Sequence, residues 1–146
     1  MTASIADKQA ALIARFNAIP SWEDRYREII RMGRDLPAFP EEHRLDKNKV
    51  KGCQSQVWMH ARPESGRVHY EADSDAAIVK GLISLVLEVY SGHTFDEIIA
   101  TPATFVDGLG LGQHLSQSRA NGLSAMLKQV KLYALAFKAM ANKQPL

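Results

Sequence analysis

Gln56-Val57-Trp58-Met59-His60-Ala61-Arg62-Pro63-Glu64-Ser65-Gly66-Arg67-Val68-His69-Tyr70-Glu71-Ala72 carries a hydrophobic period of two. Over Gln56 to Arg62, Val57, Met59 and Ala61 fall on one side and Gln56, Trp58, His60 and Arg62 on the other, as in a half-buried strand. Pro63-Glu64-Ser65-Gly66 reads as its turn. Arg67 to Ala72 alternates again, placing Val68, Tyr70 and Ala72 together, and the pair predicts an antiparallel hairpin.

On either side of the hairpin the period lengthens to that of helices. Asp73-Ser74-Asp75 supplies cap-type residues before Ala76 to Tyr90, where Ile78, Val79, Leu82, Ile83, Leu85, Val86, Leu87 and Val89 leave almost no polar side. That helix belongs at the centre of the fold, with Lys80 snorkelling out to solvent. Thr94 with Glu97 is a capping-box pattern for a short helix ending before Pro102, and Phe105 to Gly112 is glycine-rich and reads as irregular. A final long helix starts near Ser116 on the stripe Leu123, Met126, Leu127, Val130, Ala134 and Phe137, and its tail frays from Asn142. Upstream, Ile5, Leu12, Ile13 and Phe16 make a helix closed by Pro20. Ser21 then caps a second helix with Trp22, Tyr26, Ile29 and Ile30 as its core stripe, Arg25, Arg27, Glu28 and Arg31 outward, and Gly33 as a stop. Leu36 to Lys51 has no period and reads as an exposed polar connector. The sum is α+β, a small antiparallel sheet packed against several helices.

A chain of 146 residues, 46% hydrophobic and 23% charged, fits one globular domain over 1–146, with its core at about residues 5–141. Roughly two-thirds of its surface is buried on folding, so no staple is required. The one cysteine, Cys53, excludes an internal disulfide, a four-thiolate zinc site and a self-held iron–sulfur cluster, and favours a reducing, cytoplasmic setting. A formal net charge of +2 leaves no electrostatic footprint for nucleic acid. Met1 to Ala14 has no secretory pattern, and Ala76 to Tyr90 is too short to span a membrane.

The chemistry-bearing residues are few. Gly108-Leu109-Gly110-Leu111-Gly112 meets neither phosphate-binding glycine pattern and reads as a turn. His43, His60, His69, His93 and His114 show no metal-ligand spacing, so no metal site is expected, although His114, just before the last helix, is placed to approach a site formed elsewhere. Cys53 is different. Taken alone it is a small inert hydrophobe. Its surroundings, Lys49-Val50-Lys51-Gly52-Cys53-Gln54-Ser55-Gln56, are a polar loop in which Gly52 clears an approach and Lys47, Lys49 and Lys51 favour the thiolate, while burial would oppose it. Which effect wins is left to the structure. A Cys–His hydrolase needs a placed base and a dithiol oxidoreductase a second cysteine, whereas a sulfur carrier needs one thiolate alone.

Gly52-Cys53-Gln54-Ser55-Gln56-Val57-Trp58, Asp73-Ser74-Asp75-Ala76-Ala77-Ile78-Val79-Lys80-Gly81-Leu82, Leu115-Ser116 with Ser118-Arg119 and Asn121-Gly122-Leu123, and Trp22-Glu23-Asp24-Arg25-Tyr26 together resemble the SufE family, sulfur acceptors for SufS-type cysteine desulfurases. The resemblance runs through nearly the whole chain in order. It implies an IscU-like fold. It also implies that Cys53 takes sulfane sulfur from a desulfurase, stimulates its turnover and passes the sulfur to a SufBCD-type iron–sulfur scaffold. PLP would belong to the desulfurase, this chain would carry no cofactor, and homodimers occur among relatives. Gly52, Gln54, Ser55, Asp75, His114 and Arg119 are the candidate binding residues around Cys53, and the resemblance implies a role near the cysteine loop for the Gly108 to Gly112 stretch, His114 and Arg119. Asp75 is also readable as a helix-start carboxylate, Gln54 and Ser55 as the beginning of the strand, and Arg119 as a solvated charge. A non-covalent desulfurase-activating adaptor and a small cysteine hydrolase are the rival readings.

Overall fold

The computed structural model describes residues 3–143. Two helices open the chain, α1 (Ile5–Asn17) and α2 (Trp22–Arg34), each started by a serine whose hydroxyl accepts a backbone N–H three residues on, Ser4 from Asp7 and Ser21 from Asp24. A hairpin follows, β1 (Val57–Glu64) and β2 (Arg67–Ser74), and then the long apolar helix α3 (Ala77–Tyr90). The short β3 (His93–Thr94) pairs with β2, so the sheet order is β1-β2-β3, antiparallel throughout. Three short helices, α4 (Phe95–Ala100), α5 (Thr104–Gly108) and α6 (Leu111–His114), lead to the closing helix α7 (Gln117–Lys143). The α+β expectation is met.

Burial explains why α3 has no polar side. Leu82, Ile83, Leu85, Val86 and Val89 are all buried, because α2 covers one flank of the helix while β2 and α7 cover others. The inward face of the sheet carries Val57, Met59, Ala61, Val68, Tyr70 and Ala72 into the same core. Helix α7 is fastened across it by two hydroxyls: Tyr70 donates to the Val130 carbonyl at 2.6 Å, and Tyr133 donates to the Met59 carbonyl at 3.1 Å. At its other side α7 meets α4, with Lys138 paired to Asp96.

Four local expectations are corrected. The hairpin turn is two residues, Ser65 and Gly66, with φ of 54° and 77°, so Pro63 and Glu64 stay in the strand. Proline fits there because β1 is an edge. The connector is no free loop. It holds two 3-10 turns, Glu41–His43 and Asp46–Asn48, and lies over the outer face of the hairpin, burying Phe39, Asn48 and Val50. Trp58 is therefore buried as well, under the Arg44 guanidinium 4.8 Å from its ring. Phe105 to Gly112 is mostly two short helices, joined where Gly110 takes φ of 75°. The closing helix stays helical through Lys143, and the rest of the tail expected to fray lies outside the described residues.

Candidate functional site

Cys53 stands where the connector ends and the hairpin begins. Gly52 before it has φ of 94°, a left-handed conformation that lets the loop turn inward toward α7. The turn brings the thiol against the first third of that helix, and Cys53 Sγ donates to the Gly122 carbonyl oxygen at 3.6 Å. Gly122 presents only hydrogen to the sulfur. A Cβ there would lie 3.5 Å from Sγ.

The thiol opens into a recess of about 270 Å³. Its floor is apolar, from Val79 and Leu82 of α3 and Leu123 and Met126 of α7, and its rim is polar, from Gln54, Ser55, Ser116, Ser118 and Arg119. Burial pushes the Cys53 thiol up from its ordinary value. The balance left open by the sequence is thus resolved against the lysines: Lys47 and Lys51 point to solvent, and Lys49 pairs with Asp46 at 3.2 Å. The neighbouring Gly122 carbonyl acts in the same direction, since an oxygen lone pair accepts from a thiol and repels a thiolate. At rest the site protects a protonated sulfur. Iodoacetamide labelling of the free protein is accordingly expected to titrate above the ordinary thiol value of about 8.5, and to return to it in denaturant. A folded midpoint at or below that value would contradict the burial argument.

Asp75 proves to be more than a helix-start carboxylate. Its Oδ1 accepts the Gln56 backbone N–H at 3.1 Å, and its own N–H reaches the Gln56 carbonyl at 3.4 Å, so it clasps the chain three residues after the cysteine to the start of α3. The α3 N-cap residue, Ala76, has no side-chain cap, and Ser74 Oγ accepts its N–H instead. Asp73, next to this clasp, is held below the ordinary carboxylate value. Burial alone would raise it, but hydrogen bonds from Arg44 and the Ser74 N–H, with Lys80 nearby, outweigh that. Lys80 therefore leans to Asp73 at 3.5 Å rather than simply snorkelling.

Arg119, exposed at the start of α7, borders both the recess and an open trough lined by Tyr26, Ile30, Ala76, Ala77 and Ile78. The thiol recess and the apolar trough meet at this one cation. His114 lies apart from both linings. Its ring stacks on Trp22 at 3.8 Å, its Nδ1 meets the Gly110 carbonyl at 3.0 Å, and its own carbonyl accepts the Tyr26 hydroxyl. Those contacts pin α6 to α2, the element that carries Tyr26 and Ile30 of the trough. No histidine lines the recess among the described residues, so the Cys–His arrangement of a hydrolase is not formed there.

A family model described as "SufE: Fe-S metabolism associated domain" matches residues 10–134. An uncharacterized SufE-like protein of Rhizobium meliloti is 44% identical over 125 residues, which cover 82% of this chain and 89% of the relative. The sulfur acceptor protein CsdE of Escherichia coli is 37% identical over 117 residues, covering 79% and 80% of the two chains. In three dimensions the chain is similar to the solution structure of a hypothetical protein from Thermus thermophilus, with a TM-score of 0.74 and 24% identity over 88% of this chain and 94% of that one.

Proposed function

The chain belongs to the SufE family, and from that premise we propose that it is a sulfur acceptor for a cysteine desulfurase, with Cys53 as the acceptor. The observation that carries the reading is the half-buried Cys53 thiol opening into a recess with an apolar floor and room for further sulfur. The Cys53 thiolate attacks the terminal sulfur of a persulfide on the desulfurase. A new sulfur–sulfur bond forms at Cys53, the bond to the desulfurase sulfur breaks, and its electron pair leaves with that sulfur, which regains a thiolate. No external oxidant or reductant enters the exchange. PLP chemistry, which liberates sulfur from free cysteine, belongs to the SufS-type partner. The loaded persulfide then goes to an iron–sulfur assembly scaffold of the SufBCD type.

The resting geometry sets the order of events. A thiol held protonated by burial and by the Gly122 carbonyl reacts slowly, which protects it between encounters, and docking must draw Sγ out of the recess to ionise it. The Asp75–Gln56 clasp is the hinge point downstream and Gly52 the one upstream. After transfer the terminal sulfur is shielded against the floor formed by Val79, Leu82 and Met126. Arg119 supplies a cation at the rim where the persulfide anion emerges.

Incubation with a desulfurase, PLP and cysteine is expected to add the mass of one or more sulfur atoms at Cys53, removable by reductant and absent from a Cys53→Ser variant. Hydrogen exchange should rise in the loop around Cys53 when the desulfurase docks. A Cys53 left unmodified in a mixture that is consuming cysteine would refute the reading.

A further inference from the structure

The outer face of the hairpin gathers three groups that lie far apart in the chain and that the Cys53 site does not use. His43 comes from the first 3-10 turn of the connector, His60 from β1 and Glu71 from β2, where His60 and Glu71 are cross-strand partners. One ligand atom from each lies within 4.8 Å of the other two. From this geometry we infer a binding site for a divalent transition-metal cation of the zinc class, with His43, His60 and Glu71 as its protein ligands and an outward position left for water.

Two imidazoles and one carboxylate form a donor set that suits zinc, whose bonds of about 2.0–2.1 Å in a tetrahedron space neighbouring ligand atoms roughly 3.3 Å apart. His60 Nδ1 and Glu71 Oε1 stand at 3.5 Å, close to that spacing. His60 Nδ1 is also shut off from solvent without a hydrogen-bond partner, which is the atom state a metal satisfies. His43 is the ligand that must move. Its ring stacks on His60 at 3.7 Å and 8° from parallel, and a cation cannot lie in both ring planes at that offset, so binding turns the His43 ring and breaks the stack. The three-residue turn that carries His43 is short and peripheral, and the Asn48 side chain donates to the His43 carbonyl, holding the backbone while the ring reorients. No linear spacing announces this site, because each ligand comes from a different element.

The test is zinc titration of the untagged full chain by calorimetry and equilibrium dialysis, with Cys53→Ser as background so that the thiol contributes nothing. One zinc per chain is expected, with affinity at least tenfold weaker in both His43→Ala and Glu71→Gln, and an upfield-shifted His43 ring resonance that relaxes on binding. Metal-free melting curves of the two variants check that they fold. Absence of saturable binding overturns the site, as does binding that persists unchanged in either folded variant. Because the background lacks the thiol, either result is independent of the sulfur-acceptor reading.

Discussion

Cys53→Ser is expected to reduce sulfur delivery from the desulfurase to an acceptor by on the order of 10³-fold or more, the scale on which loss of a covalent nucleophile is felt. Serine keeps the size of the side chain and can still donate to the Gly122 carbonyl, so the loop, the Asp75 clasp and the recess should survive the change. What disappears is the atom that forms the sulfur–sulfur bond. Desulfurase turnover measured with and without the variant separates covalent acceptor from adaptor. For an acceptor, stimulation falls to the rate of the desulfurase alone, even when binding of the variant is intact. An adaptor would still stimulate in full while forming no adduct, and that result would sink the mechanism while leaving the family assignment in place. The same variant should bind the desulfurase about as tightly as the native chain, since Cys53 is only partly exposed and offers little area to a partner.

How much of this is legible in the sequence follows from how local each signal is. The hairpin and α3 are readable because their periods are set by residues two to four apart, and Val57, Met59 and Ala61 do face the core. The same alternation puts Trp58 on the polar side, yet it is buried, with the Arg44 guanidinium of the connector lying over its ring and over that of Phe39, a contact that no period announces. Cys53 stands out by its chemistry, as the one thiol in a polar loop. Its environment does not, because the carbonyl beside it and the recess around it belong to α7 and α3, whose approach is a tertiary event. Asp75 shows the same division. Its identity suggests a cap, but the donor it serves, the Gln56 N–H, lies 19 residues away along the chain. His114 looks like a site residue because it precedes the last helix. A Trp22 ring on another element, invisible to linear spacing, holds it away from the recess lining.

Gly81→Ala is expected to be among the most damaging single-carbon additions in the protein, and to act on the cysteine without touching it. Helices α2 and α3 cross at Gly33 and Gly81, where backbone meets backbone. A Cβ at Gly81 would fall against the Ile29 carbonyl oxygen and 2.6 Å from Ile29 Cγ2, and one at Gly33 would stand 2.6 Å from the Gly81 nitrogen. Backbone atoms cannot rotate aside, so the helices must part. Overpacking of this kind costs about 3 kcal/mol, which for a chain of this length lowers Tm by roughly 6–12 °C. Leu82 and Val79, one and two residues from the crossing, floor the recess beneath Cys53. Parting the helices therefore loosens the packing that keeps the thiol protonated, and alkylation of Cys53 in the folded variant should quicken well below its melting point. Gly112→Ala is the matched control: nothing lies within 4 Å of its added carbon, and in the short helix α6 alanine should be neutral or favourable by up to about 1 kcal/mol. If Gly81→Ala melted and labelled like Gly112→Ala, the close crossing of α2 and α3 would be wrong, and with it the origin of the recess that shelters the sulfur.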